Sequence, residues 1–250
     1  MPILNIAAYR FVAIADPPAV ATRVQELCLA RELKGTVLVA PEGINIFLAG
    51  EGEAIHGFLR ELAEDPSFAD IPVKFSDSET IPFRRLRVRL KREIITFRDE
   101  SVLPLAGRAD ALLPEKLRDW LRAGHDDAGR ELVLLDTRNQ QEVAYGSFAN
   151  ALTLPIDKFT QLPEALEAHR DELAGKTVVS FCTGGIRCEK AALWMHAAGY
   201  ENVLQLEGGI LGYFEQVGGA HFDGSCFVFD ERVALAADLK PASVGTTTDA

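Results

Sequence analysis

The sequence is poor in cysteine and has no pattern of metal ligands. Its four cysteines (Cys28, Cys182, Cys188 and Cys226) include no CxxC pair of the kind that binds zinc. A chain of 250 residues can bury a core without disulfides. The cysteines therefore indicate chemistry or packing rather than a disulfide framework. The five histidines are scattered without ligand spacing, so we predict no metal site.

Long hydrophobic runs and targeting signals are also missing. No apolar run approaches the roughly 20 residues of a membrane-spanning helix. The first residues, MPILNIAAYRFVAIADPP, lack the basic region and the cleavage site of a signal peptide. No flavin, nicotinamide or haem motif occurs, so the residues themselves indicate no cofactor. We expect a soluble cytoplasmic protein that does not contact a membrane.

The composition is that of a globular protein, with 48% hydrophobic and 25% charged residues. At about 100–150 residues per domain, the length predicts two domains. The net charge of −11 argues against nucleic-acid binding if charge is spread evenly. It is not spread evenly, because residues 84–92 (RRLRVRLKR) hold six cations.

The first 97 residues predict a ferredoxin-like α+β domain. Apolar runs and helical spacing predict the order β-α-β-β-α-β, which is typical of that fold, with one more strand-like segment after it. The predicted strands are 5–14, 36–40, 44–48, 73–75 and 86–97, and the predicted helices are 19–33 and 54–62.

The rest of the chain predicts an α/β domain with a mostly parallel sheet. Residues 98–114 look like a linker, and the second domain is predicted at 115–220. Short apolar strands at 132–136, 177–181 and 203–206 alternate with helices. Sites in such sheets lie at the carboxyl ends of the strands, where Asp136 and Cys182 stand. We expect residues 221–250 to form a tail whose last ten or so residues are disordered.

The segment after the second of these strands predicts a reactive cysteine. Cys182 leaves a buried strand, enters a loop with two adjacent glycines and is followed by a helix. Amides of such a loop and the helix N-terminus stabilise an anion, and they lower the pKa of a thiol. Arg187 adds a permanent charge. The predicted site comprises Cys182, Arg187 and Cys188, with Thr183, Gly184, Gly185 and Ile186 as an anion-binding loop and the glycines providing its backbone angles.

The spacing within this loop separates two chemistries. Arg187 is the fifth residue after Cys182, whereas a phosphatase loop of the type Cys, five residues, Arg needs arginine at position 188. The shorter loop suits sulfur or another small group better than phosphate. Cys188 can either resolve an oxidised Cys182 or simply pack.

Other motifs extend the pattern into a family resemblance. The loop resembles the rhodanese active site, Leu135 to Arg138 with Glu142 resembles its entry motif, and QLEGGI (205–210) resembles its closing motif. Together with CTGGIRCEK (182–190), CFVFDERVA (226–234) and GTVLVAPEGIN (35–45), these segments resemble the rhodanese-domain tRNA uridine hydroxylases. The resemblance implies oxidation of the wobble uridine 34 of tRNA to 5-hydroxyuridine, with molecular oxygen as co-substrate. It implies tRNA, through its anticodon stem-loop, as the partner; we expect no stable protein partner.

The basic segment is the candidate RNA-binding surface. Strict alternation places Arg85, Arg87, Arg89 and Lys91 on one strand face and apolar residues on the other. Such a face is either solvated and paired with acids or bound to RNA phosphates. Asp136 and Arg138 are expected to support the cysteine loop. Two other functions stay open: a sulfurtransferase with a Cys182 persulfide, and a non-catalytic module that binds anions.

Overall fold

Residues 3–242 are described by the structure, a computed structural model, and they contain two sheets of five strands each. The tail predicted to be disordered falls almost entirely on residues 243–250, outside the described part. The first sheet belongs to the N-terminal part of the chain and the second to the C-terminal part.

The N-terminal sheet confirms the ferredoxin-like prediction. Its strand order is β4-β1-β3-β2-β5, in which β5 runs parallel to β2 and the other neighbours are antiparallel. The elements are β1 (Ile3–Phe11), α1 (Pro17–Leu29), β2 (Lys34–Ala40), β3 (Gly43–Glu51), α2 (Gly52–Leu62), β4 (Val73–Ser78) and β5 (Leu86–Leu90).

Both helices cover one face of this sheet and leave the other face for the second domain. Helix α1 begins after Asp16, whose carboxylate accepts a hydrogen bond from the Ala19 amide at 3.0 Å. Cys28 of α1 and Phe58 of α2 are buried against the strands. Burial also raises the pKa of Cys28 to about 12, so this cysteine is part of the core.

The prediction of one strand over residues 86–97 is wrong in its second half. Strand β5 ends at Leu90, and the chain then turns toward the second domain. Ile94 is fully buried with Ile186 of that domain, and Phe97 lies in the core of the second domain. These apolar side chains therefore form an interdomain contact rather than one face of a strand.

The second sheet is parallel throughout, as predicted, with the order β6-β11-β10-β7-β9. Its elements and the short strands beside it are β6 (Ala111–Leu112), α3 (Pro114–Ala123), β7 (Leu132–Asp136), α4 (Gln140–Val143), β8 (Gly146–Phe148), β9 (Leu152–Thr153), α5 (Leu162–Glu167), α6 (Arg170–Leu173), β10 (Thr177–Phe181), α7 (Ile186–Ala197), β11 (Val203–Leu206), α8 (Gly209–Val217), β12 (Phe222–Gly224), β13 (Cys226–Phe227) and β14 (Ala234–Leu235).

Segments predicted without regular structure contribute to this domain. Residues 98–113 supply β6 at one edge of the sheet, and Val102 and Ala109 lie in its core. The end of the QLEGGI motif forms the start of helix α8. Residues 222–235 add strands, and β12 pairs with β8. No helix within residues 3–242 is long and apolar enough to cross a bilayer.

Candidate active site

Cys182 lies at the carboxyl end of β10, in the loop that leads into α7. Its side chain is buried, and the Gly185 amide donates a hydrogen bond to its Sγ at 3.2 Å. Gly185 has a φ of 101°, which side-chain-bearing residues rarely adopt, and α7 begins at the next residue, Ile186. The loop thereby directs an amide and a helix N-terminus at the sulfur, which favours a negative charge there.

Only one of the two loop glycines, Gly185, has a backbone conformation that requires glycine. This corrects the expectation that both are needed for the backbone angles of the loop. Gly184 has no positive φ, and the space beside its Cα is open. A stronger constraint comes from Gly209 in the closing motif. A Cβ there would lie 2.4 Å from the carbonyl oxygen of Cys182 and 2.8 Å from the Gly185 nitrogen. The closing motif therefore packs directly on the loop backbone.

The surroundings of Cys182 lower the pKa of its thiol. Burial raises that pKa, but the Cys188 thiol, the Arg187 charge and the amides of Arg187 and Gly185 outweigh burial and bring it to about 5. The pKa of Cys188 is raised by burial and by its neighbour Cys182. Cys182 is therefore the thiolate near neutral pH, and Cys188 remains a thiol beside it.

Cys226 shows that burial alone would have the opposite effect. It is fully buried behind the loop, near Arg138 and Thr183, and burial raises the pKa of its thiol to about 12. Cys226 and Cys182 are equally buried but differ in the charges and donors around them. The loop and its arginine, rather than burial, account for the thiolate.

Arg187 is held by Glu142, a residue of α4. The guanidinium Nη1 and Nη2 donate to the two carboxylate oxygens at 2.6 and 2.7 Å, and both side chains are buried. Burial raises the pKa of Glu142, but the hydrogen bonds and charge of Arg187 outweigh this and lower it. Glu142 thereby fixes the guanidinium of Arg187 beside Cys182, where its positive charge stabilises the thiolate.

Asp136 and Arg138 form a second buried pair, with Arg138 Nη2 2.6 Å from an Asp136 carboxylate oxygen. Asp136 also accepts a hydrogen bond from the Ser147 hydroxyl, so the pair joins β7 to β8. The residue between them, Thr137, makes the contact with the cysteine loop. Its hydroxyl donates to the Phe181 carbonyl and lies 3.7 Å from the Sγ of Cys188.

The N-terminal domain reaches the cysteine loop through Tyr9. The Tyr9 hydroxyl donates to Glu189 of α7 at 2.8 Å, and a Cβ on Gly185 would lie 2.9 Å from it. Arg108 donates to the same carboxylate at 3.2 Å. Burial raises the pKa of Glu189, and the Arg108 charge and the Tyr9 hydroxyl offset only part of this.

The next residue of α7, Lys190, joins the two domains. Its buried ammonium group donates to Glu42 at 2.9 Å, to Glu93 at 2.7 Å and to the carbonyl of Ile95 at 3.1 Å. Glu42 also accepts the amide of Ile94. Two successive side chains of α7 therefore contact the N-terminal domain: Glu189 beside the cysteine loop, and Lys190 at the interface around Glu42 and Glu93.

A cleft of about 950 Å³ lies between the domains. Cys182 and Arg187 line one wall, and the open face of the N-terminal sheet, including Tyr9 and Phe47, lines the other. Among the described residues, no group of three or more His, Cys, Asp or Glu side chains is placed to hold a metal ion.

The basic segment extends the sheet face that lines the cleft. Arg87 and Arg89 lie in register with Thr36 and Leu38 of β2, which line the cleft. The four predicted RNA-binding cations are all exposed. Within residues 3–242 the ion pair recorded for this segment is that of Arg84 with Glu231. The arrangement leaves Arg85, Arg87, Arg89 and Lys91 accessible to an external anion.

Several residues of the site were not selected from the sequence. Glu142 was noted only as part of a motif, and Tyr9, Glu189 and Lys190 were not noted as site residues. Each acts across a large sequence separation, such as the 180 positions between Tyr9 and Glu189. The available signal was the polar Glu-Lys pair directly after Cys188, at the start of an otherwise apolar helix.

Comparison with known proteins agrees with both halves of this architecture. Residues 3–94 match the model of the UPF0176 acylphosphatase-like domain, and residues 114–216 match the rhodanese-like domain. Proteins named tRNA uridine(34) hydroxylase match nearly the whole chain. The protein of Xanthomonas campestris pv. campestris (strain B100) is 64% identical over 97% of this chain and 96% of its own. That of Xylella fastidiosa (strain 9a5c) is 58% identical over 96% and 94%. The chain belongs to the tRNA uridine(34) hydroxylase family.

Proposed function

We propose that this protein hydroxylates uridine 34 of tRNA at C5, with Cys182 as the nucleophile, molecular oxygen as co-substrate and an external two-electron donor that reduces the second oxygen atom to water. The observation that carries the proposal is the position of Cys182. Its thiolate lies in a cleft whose opposite wall continues into a row of exposed cations. The names of relatives that match nearly the full chain support the same activity.

The assigned roles follow from the contacts of the loop. Cys182 attacks the base, and Arg187 and Cys188 keep it ionised. The loop from Thr183 to Ile186 holds negative charge at the reacting sulfur, with the Gly185 amide as its donor. Asp136 and Arg138 support the end of β7 from which Thr137 contacts the loop.

The substrate class agrees with the shape and charge of the site. Enzymes reach unstacked bases of single-stranded loops, and the anticodon loop presents uridine 34 in this form. Phosphates of the stem-loop would lie along Arg85, Arg87, Arg89 and Lys91, which is consistent with the electrostatic part of RNA binding. Because tRNA is the substrate, we place the protein in the cytoplasm, and the reaction needs no stable protein partner.

The chemistry of uracil explains why a thiolate is useful here. When Cys182 adds to C6, the S–C6 bond forms and the C5=C6 electrons move toward O4, so that C5 becomes electron-rich. Without oxygen, C5 can take a proton from water and later lose the original hydrogen, while the S–C6 bond breaks. Addition therefore predicts exchange of the C5 hydrogen with solvent.

This step can be measured apart from oxidation. tRNA is incubated anaerobically with the protein in D₂O, and deuterium at C5 of uridine 34 is followed by nucleoside mass spectrometry. We expect exchange with the wild-type protein and none with Cys182→Ser. Product formation without any exchange in the wild-type protein would contradict addition to C6 and leave the hydroxylase assignment standing.

The overall function is tested in cells. Disruption of the gene, in a strain without a parallel route, should remove 5-hydroxyuridine and its derivatives from tRNA. Growth of the wild type under ¹⁸O₂ should label the new hydroxyl group. Persistence of 5-hydroxyuridine would contradict the proposal, and unlabelled product would contradict the choice of oxygen source.

A further inference from the structure

The open face of the N-terminal sheet carries a row of side chains that crosses all five strands. The strand registers align Arg87 of β5, Thr36 of β2, Phe47 of β3, Ala7 of β1 and Lys74 of β4. The aromatic ring stands in the centre, between two small residues, and a cation stands at each end. All but Arg87 line the cleft that also contains Cys182.

Phe47 does not have the surroundings of a core residue. It is half-buried, and it belongs to none of the hydrophobic clusters formed by the described residues. Its neighbours along β3, Ile46 and Leu48, point to the other face and are fully buried beneath the helices. A large apolar ring that lines a cleft without joining a core is available to a ligand.

Its small neighbours leave the ring face accessible. Thr36 and Ala7 project little above the sheet on either side of Phe47. Four-stranded sheets that bind single-stranded RNA stack two or three bases on aromatic side chains of their open face. At one end of the row the exposed Arg87 supplies charge for a phosphate of such a strand, whereas Lys74 at the other end is paired with Glu215 at 3.0 Å.

The row also lies close to the reacting group. Tyr9 stands two residues along β1 from Ala7, a step of about 7 Å at the usual rise of a strand. Its hydroxyl contacts Glu189 and lies against Gly185 of the cysteine loop. A base stacked on Phe47 would thus lie beside the place where a base reacts with Cys182. At about 950 Å³, the cleft is at the upper end of the roughly 300–1,000 Å³ of small-molecule sites.

We propose that Phe47 is a stacking platform for an unpaired base that neighbours uridine 34 in the anticodon loop. The inference rests on the proposed function and adds the recognition of a second nucleotide. Stacking on Phe47 does not discriminate between the four bases, because every base has a face that can stack. It fixes the loop in the cleft so that uridine 34 reaches the thiolate.

The first test is the affinity of the full-length protein for an anticodon stem-loop RNA, measured by fluorescence anisotropy at several salt concentrations. Phe47→Leu should weaken binding about tenfold, because stacking on an aromatic ring is lost. The slope of log affinity against log salt should not change, since no cation is removed. Phe47→Trp should bind as tightly as the wild type.

Phe75 provides the matched control. It is an exposed aromatic residue of β4 that also borders the cleft, but it lies in register with Ile6 on the helix-covered side of the same sheet, next to His56. Phe75→Leu should leave the affinity unchanged. Equal losses in Phe47→Leu and Phe75→Leu, or no loss in Phe47→Leu, would overturn the stacking assignment.

An abasic substitution identifies the stacked nucleotide. The base is removed from the RNA at position 33 in one sample and at position 35 in another. One of these two RNAs should bind the wild-type protein about tenfold more weakly than the intact RNA. The same RNA should bind Phe47→Leu no more weakly than the intact RNA does. Equal, additive losses in both proteins would contradict the platform. If 5-hydroxyuridine still forms normally in cells carrying Phe47→Leu, the platform fails while the proposed function stands.

Discussion

Arg187 and Glu142 form a two-pronged buried pair, with N–O distances of 2.6 and 2.7 Å, on either side of the cysteine loop. The arginine comes from the first turn of α7 and the glutamate from α4. Because its donor fork is occupied, Arg187 keeps a fixed position and charge beside Cys182. The pair therefore links the stability of the loop to the pKa of the nucleophile.

Glu142→Gln should destabilise the protein strongly. The substitution removes the carboxylate charge that pairs with the buried Arg187 guanidinium, and breaking a buried pair of this kind costs about 3–5 kcal/mol. The measurement is the free energy of unfolding in urea. Glu64→Gln, which breaks the exposed pair with Arg23, is the control and should cost less than about 1 kcal/mol. Similar losses for the two variants would contradict a buried, paired role for Glu142.

The thiolate of Cys182 should be visible in a pH titration. With the pKa lowered to about 5, the sulfur is ionised above that pH and takes up a proton below it. Thiolate absorbance near 240 nm, taken as the difference between the wild type and Cys182→Ser, should therefore fall as the pH drops through about 5. A titration near the ordinary value of about 8.5 would contradict the role of the loop.

Cys188→Ala separates the contributions to that titration. Loss of the neighbouring thiol removes one group that stabilises the thiolate, so the pKa of Cys182 should move upward from about 5. The Arg187 charge and the loop amides remain, and the pKa should stay below that of an ordinary cysteine. An unchanged titration would show that Cys188 only packs against the loop.

Lys190→Met should destabilise the docked domains. It leaves the carboxylates of Glu42 and Glu93 together without their cation. We expect a loss of about 2–3 kcal/mol in the free energy of unfolding, less than for a fully buried pair because both carboxylates retain some water. Lys176→Met, which breaks the more exposed pair with Glu131, should change the stability by less than about 1 kcal/mol.

The same variant should alter the pH dependence of stability. Burial raises the pKa of Glu93, but hydrogen bonds from Lys190 and the Phe97 amide outweigh it and lower the pKa below its usual value. A carboxyl group with a lowered folded pKa stabilises the fold above its unfolded pKa of about 4.3, and this contribution is lost as the pH falls through the folded pKa. Unfolding free energies of Lys190→Met should fall less steeply below about pH 4.3 than those of the wild type.

Removal of two cations from β5 should weaken RNA binding in a salt-dependent way. The double variant Arg87→Ala, Arg89→Ala should reduce the slope of log affinity against log salt by about 0.7 per cation for single-stranded RNA. Arg60→Ala, at an exposed position of α2 in the same domain, is the control and should leave the slope unchanged. An unchanged slope in the double variant would place the phosphate contacts elsewhere.

Local sequence patterns predicted those parts of the fold in which the local sequence determines the secondary structure. The period of two in residues 85–90 and the apolar runs at 132–136 and 177–181 correspond to strands. The error at 91–97 has a physical cause. Ile94 and Phe97 have the spacing and hydrophobicity of strand residues, but they are buried by the second domain. A pattern of hydrophobicity indicates burial and does not identify the covering element.

The candidate site was predicted in part for a similar reason. Cys182, Gly185 and Arg187 form one short segment, so their proximity follows from the chain itself. Tyr9 and Glu142 reach this segment only after both domains have folded and docked. Their roles depend on tertiary structure, which spacing along one sequence does not contain.

The most direct test of the account is complementation at Cys182. A strain that lacks its own hydroxylase and any parallel route is supplied with the wild-type protein, Cys182→Ser or Cys226→Ser, each at equal abundance. Nucleosides of its tRNA are then analysed by mass spectrometry. We predict that 5-hydroxyuridine at position 34 returns with the wild type and with Cys226→Ser, and that Cys182→Ser restores none. Restoration by Cys182→Ser to the wild-type level would contradict the account.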